Sequence, residues 1–511
     1  MKPTQEQQLI IEANEPIIKV VAFAGTGKTS TFVERAKAHQ KRTLYLAFNK
    51  SVQVEAEQRF PKHVTPKTQH GLAFSAVMSR PFKGIRYVLG RLSIFKTSKC
   101  FRIDYYMASL VHKTVENYCN SADDSITTAH AEPDVIGRYT YDISEVLVKH
   151  AQQIWAMVVE GRNPDFPMTH GGYLKLFQLS KPRLGYDVVM LDEAQDTNPV
   201  VHDIVLSQAN YGSQILLAGD PYQQIYAWRG AVDALGKVES ATYYITQSFR
   251  FGQQIAGVAN TILNTFFNET RPLIGLGKPG QILTGGTDEN EPVGKYTFLA
   301  RTNAFLFAEA SRQAGKIKMF VPGSGQYGEL PIFQSVLDVF ALFQGRKQDC
   351  RDFELKNFSD YWELLEFVKT GQADPEWNIA TAVVEKYREG VPAQIEKIRG
   401  SLVQRPEDAQ ATLVTAHRAK GLEWDNVVLG SDYAEMFDEN GLPRALGDDR
   451  KTQIKHDEVN LVYVASTRAK VSLMASQQLS QLLAYCGSRT RPAVVDVKAE
   501  SEALEIESCQ E

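Results

Sequence analysis

Long apolar runs are missing from this 511-residue chain. None approaches the roughly 20 residues of a membrane-spanning helix, and the opening MKPTQEQQLI lacks the apolar core of a secretory leader, so no membrane association is expected. Cysteine is scarce. Cys100, Cys119, Cys350, Cys486 and Cys509 lie far apart, with no CxxC pair and no histidine cluster beside them, which excludes a disulfide framework and a zinc site. A reducing compartment is expected, cytoplasmic in a bacterium or virus and nuclear in a eukaryote. Internal repeats and long low-complexity tracts are also absent. The net charge of −4 is too small to point to a polyanionic partner. One local absence is informative: from Arg80 to Arg102 there is no acidic residue, while Arg80, Lys83, Arg86, Arg91, Lys96, Lys99 and Arg102 alternate with Phe82, Tyr87, Phe95 and Phe101. Cations interleaved with flat rings suit a nucleic-acid backbone and its bases; a solvated helical face with a buried stripe is the plainer alternative. The length exceeds what one hydrophobic core supports and predicts two to four domains.

What is present begins with PIIKVVAFAGTGKTSTFVERAKAH. It reads as a buried strand from Ile17 to Phe23, a glycine-bearing turn, and a helix from about Lys28. Backbone N–H groups of Ala24, Gly25, Thr26, Gly27 and the helix start through Ser30 can surround the β- and γ-phosphates of a nucleoside triphosphate. Lys28 adds a point charge, and the Thr29 hydroxyl can ligate Mg²⁺. The usual first glycine of this pattern is Ala22. The stretch YDVVMLDEAQDTN supplies the second half: a buried strand, Val188 to Leu191, delivers Asp192 and Glu193 at its C-terminal end, where open α/β sheets place ligands. Asp192 can hold magnesium through water, and Glu193 can orient and deprotonate an attacking water. A third strand, Ile215 to Ala218, leads to Gly219-Asp220, Gln223-Gln224, Tyr226, Trp228 and Arg229. These aromatics fill a core or stack on unpaired bases, and their place after a sheet's ligand edge favours stacking.

The motifs TQEQ, AFAGTGKT, LAFNKS, KTQHGLA, LDEAQD, GDPYQQIYAWRGA, QSFR, ARTNA, TAHRAKGLEWDNVVLG and NLVYVASTRAK occur in this order between about residues 4 and 475. In content and order they resemble the superfamily 1 DNA helicases of the UvrD/Rep type. AFAGTGKTST, AFNKS and NLVYVASTRAK are most similar to the branch containing the eukaryotic F-box DNA helicase, with no F-box-like segment ahead of the motor. The resemblance implies that Gln7 reads the adenine and Phe249 stacks on it. It implies that Gln223 senses the γ-phosphate, that Arg250 and Arg468 reach that phosphate from a second motor domain, and that Glu423, near Lys420 and Gly421, contacts the ribose. Phe48, Asn49, Thr68, His70, Tyr226, Trp228, Arg229 and His417 match positions lining a single-strand channel. Two positions depart from the family: Ser30 and Asn460 stand where arginine is common.

The expected fold is α/β, with two RecA-like parallel-sheet motor domains, a mostly helical insertion of the type called 1B and a reduced insertion of the type called 2B. Motor domain 1A is expected at 1–76 plus 180–247, 1B at 77–179, motor domain 2A at 248–345 plus 405–490, the reduced 2B-like insertion at 346–404, and an acidic tail, expected to be disordered, at 491–511. The resemblance implies an ATP- and Mg²⁺-dependent helicase moving 3′ to 5′ on single-stranded DNA and at junctions with duplex. It is expected as a monomer, with a protein loading partner as an option. A translocase that strips proteins from DNA without unwinding, and a DNA-stimulated sensor ATPase of a repair or defence complex, are the alternatives.

Overall fold

A computed structural model of the chain describes residues 2–226, 234–284, 292, 294–323, 330, 332–449 and 452–489. Its first sheet contains β1 (Ile17–Ala22), β2 (Thr43–Ala47), β3 (Val64–Thr68), β4 (Val188–Leu191), β5 (Gln214–Gly219) and β6 (Ala241–Ile245), in the order β3-β2-β4-β5-β1-β6. Every neighbouring pair is parallel. Alternating side chains therefore point to two covered faces, as parallel sheets require. Val189, Leu191, Ile215 and Leu217 enter one core, shared with the helices of 77–179. Val188, Met190, Leu216 and Ala218 enter the other, shared with Phe32, Val33 and Ala36 of the helix Lys28–Ala38. The 77–179 segment, expected to be mostly helical, includes the helices Tyr105–Asn120 and Ser144–Glu160.

Two short parallel pairs, β7 (Gln247–Ser248) with β8 (Ile274–Gly275) and β14 (Ala445–Leu446) with β15 (Gln453–Ile454), stand apart from the second sheet's hydrogen-bonded order. That sheet contains β9 (Gln281–Leu283), β10 (Tyr296–Ala300), β11 (Met319–Phe320), β12 (Ala411–Thr415), β13 (Trp424–Leu429) and β16 (Ala469–Met474), in the order β11-β12-β10-β13-β16-β9. All its pairs are again parallel. The chain is an α/β molecule built on two parallel sheets, as RecA-like motor lobes are.

The 346–404 segment forms the helices Tyr361–Lys369, Pro375–Tyr387 and Val391–Arg399. Their Leu364, Trp377 and Ile395 share one core with Phe298, Leu413 and Val428 of the second sheet. This short segment is thus an extension of that lobe's core. It also meets the 77–179 insertion: Tyr105 packs edge-on against Phe358 and Phe367, and its hydroxyl donates to Glu354 Oε2 at 3.0 Å. The two sheets are joined by a further core in which Val21, Phe23, Ala24 and Ile225 of the first lobe lie among Leu299, Val427 and Leu473 of the second. Among the described residues no helix is long and apolar enough to cross a membrane.

Candidate active site between the two sheets

The register of β4, β5 and β1 brings three loops to one edge. Val21 lies opposite Gly219, and Leu191 opposite Leu217, so the chain leaves the sheet at nearly one level before Ala24, Asp192 and Asp220. The loop turns through Gly25 (φ +74°) and Gly27 (φ +79°), both in the left-handed region. Gly25 is also approached closely: a Cβ there would lie 2.5 Å from Ser248 Oγ and 2.7 Å from Arg250 Cβ. Gly27 caps the helix Lys28–Ala38 without a side-chain hydrogen bond, so the N–H groups of that helix start are not capped by a side chain.

Lys28 reaches back to the acidic strand end. Its ammonium lies 3.0 Å from Asp192 Oδ1 and also pairs with Glu193 Oε1. Burial acts to lower its pKa, but the two carboxylates outweigh burial and hold it above the ordinary lysine value. Burial likewise acts to raise Glu193, and the attraction of Lys28 and Lys420 overcomes it, leaving this carboxyl well below the usual range. Glu193 has a left-handed backbone (φ +53°), uncommon outside glycine, and its N–H donates to Asp192 Oδ1 at 2.9 Å. Asp192 Oδ2 accepts from Tyr45 OH at 2.5 Å and from Thr29 Oγ1 at 3.4 Å. Thr29 and Asp192 thus present hard oxygens side by side, a donor set that fits a magnesium ion taking its remaining ligands from phosphate and water.

The second lobe closes the other wall of a cavity of about 420 Å³. Arg468 is buried: its Nη2 donates to Gln223 Oε1 at 3.2 Å, and its Nε donates to Val464 O at 3.0 Å. Burial and the neighbouring Arg250 push this guanidinium down to about 9, still cationic at neutral pH. Gln223 passes the contact on, its Nε2 donating to Asp220 Oδ2 at 2.7 Å. Tyr463 OH donates to the same oxygen at 3.0 Å and accepts from Ala24 N at 3.2 Å. Burial pushes Asp220 up to about 6 despite these donors. Lys420 bonds Asp196 Oδ2, donates to Gln223 O at 2.6 Å and lies 3.6 Å from Glu193 Oε2. Gln195 braces the acids, its Nε2 donating to Glu193 Oε2 at 2.6 Å and its Oε1 accepting from Asp220 N at 3.2 Å.

Lys28, Thr29, Asp192, Glu193, Gln223, Phe249, Arg250, Glu423 and Arg468 all line this one cavity, with Gly25, Thr26, Gly27 and Ser30. Four residues differ in detail from their expected roles. Ala24 has its N–H taken by Tyr463. Gln7, expected to read the base, has its amide committed behind the loop: Nε2 donates to Thr26 O at 3.2 Å, and Oε1 accepts from Thr4 N at 3.0 Å in a capping box. Glu423, expected on the ribose, accepts from Arg250 Nε at 2.6 Å, because both carry opposite charge at the cleft mouth. Asn49, expected along the strand channel, spends its side-chain oxygen capping the helix Lys50–Arg59 and lines the cavity together with Phe48.

Of the aromatic candidates, Phe48 and Tyr226 stack with ring centroids 5.6 Å apart. Tyr226 OH donates to His417 O at 3.0 Å across the lobes. Thr68 caps the helix Gln69–Val77, accepting from Gly71 N at 2.9 Å. His70 Nδ1 lies 3.0 Å from Tyr173 OH, and Tyr173 also contacts His170. Trp228 and Arg229 lie outside the described residues. In the basic stretch, Arg80, Lys83, Arg86, Arg91, Lys99 and Arg102 are exposed, whereas Lys96 is half-buried and pairs with Asp165 at 2.7 Å.

Sequence reasoning missed Tyr45, Gln195, Asp196, Asp220, Lys420 and Tyr463 as parts of the site. Five of them sit inside quoted motifs and could have been weighted by type: polar residues next to a sheet's ligand edge seldom lack partners. Tyr45 carries no such signal. Asn460 is buried, and its Nδ2 donates to Gln224 O at 2.8 Å, a link between the lobes.

Residues 174–235 match the UvrD/REP helicase N-terminal domain, and residues 394–480 the UvrD-like helicase C-terminal domain. The chain is similar to "F-box DNA helicase 1" of Gallus gallus, 34% identical over 95% of this chain and 50% of the relative. It is also similar to "F-box DNA helicase protein 1" of Schizosaccharomyces pombe, 29% identical over 95% of this chain and 58% of the relative. The "ATP-dependent DNA helicase UvrD2" of Mycobacterium tuberculosis is 24% identical over 58% of this chain and 48% of that protein. The chain spans about half the length of the curated relatives it matches. The cleft thus lies between a segment that matches the UvrD/REP helicase N-terminal domain and one that matches the UvrD-like helicase C-terminal domain, and the chain is similar to DNA helicases of this type.

Proposed function

We propose that this chain is an ATP-dependent DNA helicase that couples hydrolysis in the cleft to 3′-to-5′ movement on single-stranded DNA and to duplex unwinding, in repair, recombination or replication. The observation that carries this reading is the bond from Arg468 of the second lobe to Gln223 of the first, beside the P-loop. Phosphoryl transfer needs positive charge against the equatorial oxygens, and an arginine supplied there is worth roughly 10³–10⁵ in rate. Putting that arginine on the other lobe makes hydrolysis depend on closure. Thr29 and Asp192 would hold a magnesium ion, which would supply positive charge to the phosphates. Glu193, held ionised by Lys28 and Lys420, is in the form that accepts a proton from an attacking water. Phe48, Tyr226 and His417 straddle the lobes, so closure moves stacking surfaces against one another.

ATP hydrolysis measured with and without a single-stranded oligonucleotide, for wild type and Arg468→Ala, tests the coupling. Strong stimulation in the wild type and its loss in the variant are expected; a rate indifferent to DNA refutes the motor. Displacement of a strand from 3′-tailed but not 5′-tailed duplex tests the direction. The packing of 346–404 into the second lobe's core favours, as a second reading, a translocase with little unwinding. Release of a bound protein without strand displacement would select it.

A further inference from the structure

Five cationic side chains among the described residues line the cleft cavity, and four of them are engaged at the acidic strand end, at Gln223 or at the cleft mouth. Lys28 is on Asp192 and Glu193, Lys420 on Asp196, Arg468 on Gln223 and Arg250 on Glu423. Arg59 stands apart. It comes from the last turn of the helix Lys50–Arg59, where Nη1 donates to Glu55 Oε1 at 2.6 Å, and its Nη2 donates to Ser30 Oγ at 2.8 Å. Ser30 is two residues beyond Lys28, past the helix start whose N–H groups and lysine mark the phosphate end. Phe249 reaches the same helix at Gly27, where a Cβ would lie 4.0 Å from its ring. Gly27 and Ser30 are i and i+3, neighbours on one face, so the ring and the guanidinium border the same strip of the cavity. Both hydrogen bonds of Arg59 use the edge of its planar group and leave the face for stacking.

We propose that Arg59 is a base-recognition residue of the site, its guanidinium lying on the face of the nucleoside base while Phe249 bounds the other side. This rests on the reading of the P-loop cavity as a nucleotide site. Recognition acts on the base and leaves the phosphates to Lys28 and the helix N-terminus.

The test is binding of a fluorescent methylanthraniloyl ATP by the full chain, with ATP and inorganic tripolyphosphate as competitors. Arg59→Ala weakens ATP about tenfold, the scale of one cation–π contact in a partly desolvated site, and leaves tripolyphosphate within about twofold. Retained tripolyphosphate binding also shows that the variant is folded. Arg59→Lys stays weak, because a point charge does not replace a flat stacking group. Unchanged ATP affinity in Arg59→Ala, or an equal loss for tripolyphosphate, overturns the proposal while the nucleotide reading stands. Wild type that fails to bind the analogue, or Lys28→Ala that binds it as tightly as wild type, overturns both.

Discussion

Tyr463→Phe removes one oxygen atom from the junction of the lobes and keeps the ring. The tyrosine is fully buried, on the second-lobe helix His456–Ser466. Its hydroxyl accepts from Ala24 N in the phosphate loop at 3.2 Å and donates to Asp220 Oδ2 at 3.0 Å. The variant leaves a buried backbone N–H without its partner, which costs about 1–3 kcal/mol, and takes a donor from a buried carboxyl, of similar size. A total loss of about 2–4 kcal/mol is expected in urea unfolding, a large part of the roughly 5–15 kcal/mol that holds a typical domain. Tyr433→Phe is the control: that hydroxyl is also buried and donates to Leu299 O at 3.1 Å, but both groups belong to the second lobe. Tyr433→Phe lowers stability by about 1 kcal/mol and leaves ATP affinity near wild type. Tyr463→Phe lowers stability and also weakens ATP binding, because the loop's path is held through Ala24. A stability loss below about 0.5 kcal/mol, or identical nucleotide affinities in the two variants, would refute the view that this hydroxyl ties the loop to the second lobe.

Asp220 has a pKa near 6 in the folded chain against an ordinary 3.8, so the native state binds the extra proton and its contribution to stability is lost as pH rises from about 4 through about 6. The stability of Asp220→Asn relative to wild type should therefore improve over that window, by up to about 3 kcal/mol in pH-dependent denaturation; a flat difference would contradict the assignment. Arg35 is buried and donates to Ile10 O at 2.6 Å, Ile11 O at 2.9 Å, Ala13 O at 2.7 Å and Gln214 Oε1 at 3.0 Å, fastening the helix Gln5–Glu12 to the loop's helix. Arg35→Met should destabilise by about 3 kcal/mol or more, read by thermal unfolding, since these acceptors lose their donors inside the protein. Gly25→Ala forces a side chain into a left-handed backbone and against Ser248 and Arg250, at a cost of roughly 2–4 kcal/mol, and should raise the KM for ATP; wild-type stability would show that the loop yields freely.

Both sheets and the chemistry at their edges were legible in the linear chain because each rests on short-range order. A short apolar run such as Val188 to Leu191 reads as a strand buried on both faces, and the acids that follow it are then expected at a sheet's ligand edge. The glycines of the P-loop likewise announce their own backbone. Tertiary structure decided contacts between residues from 29 to 439 positions apart. Nothing in the order of residues says that Tyr463 would hold Ala24, that Lys420 would reach Asp196, or that Arg59 would meet Ser30, since each contact depends on how helices pack and lobes close. The same holds for 346–404, expected as a reduced insertion, whose union with the second lobe's core was not legible in the sequence. Local periodicity follows from the geometry of the backbone, whereas the pairing of distant polar groups follows from which buried donors and acceptors are left to satisfy once the cores have formed.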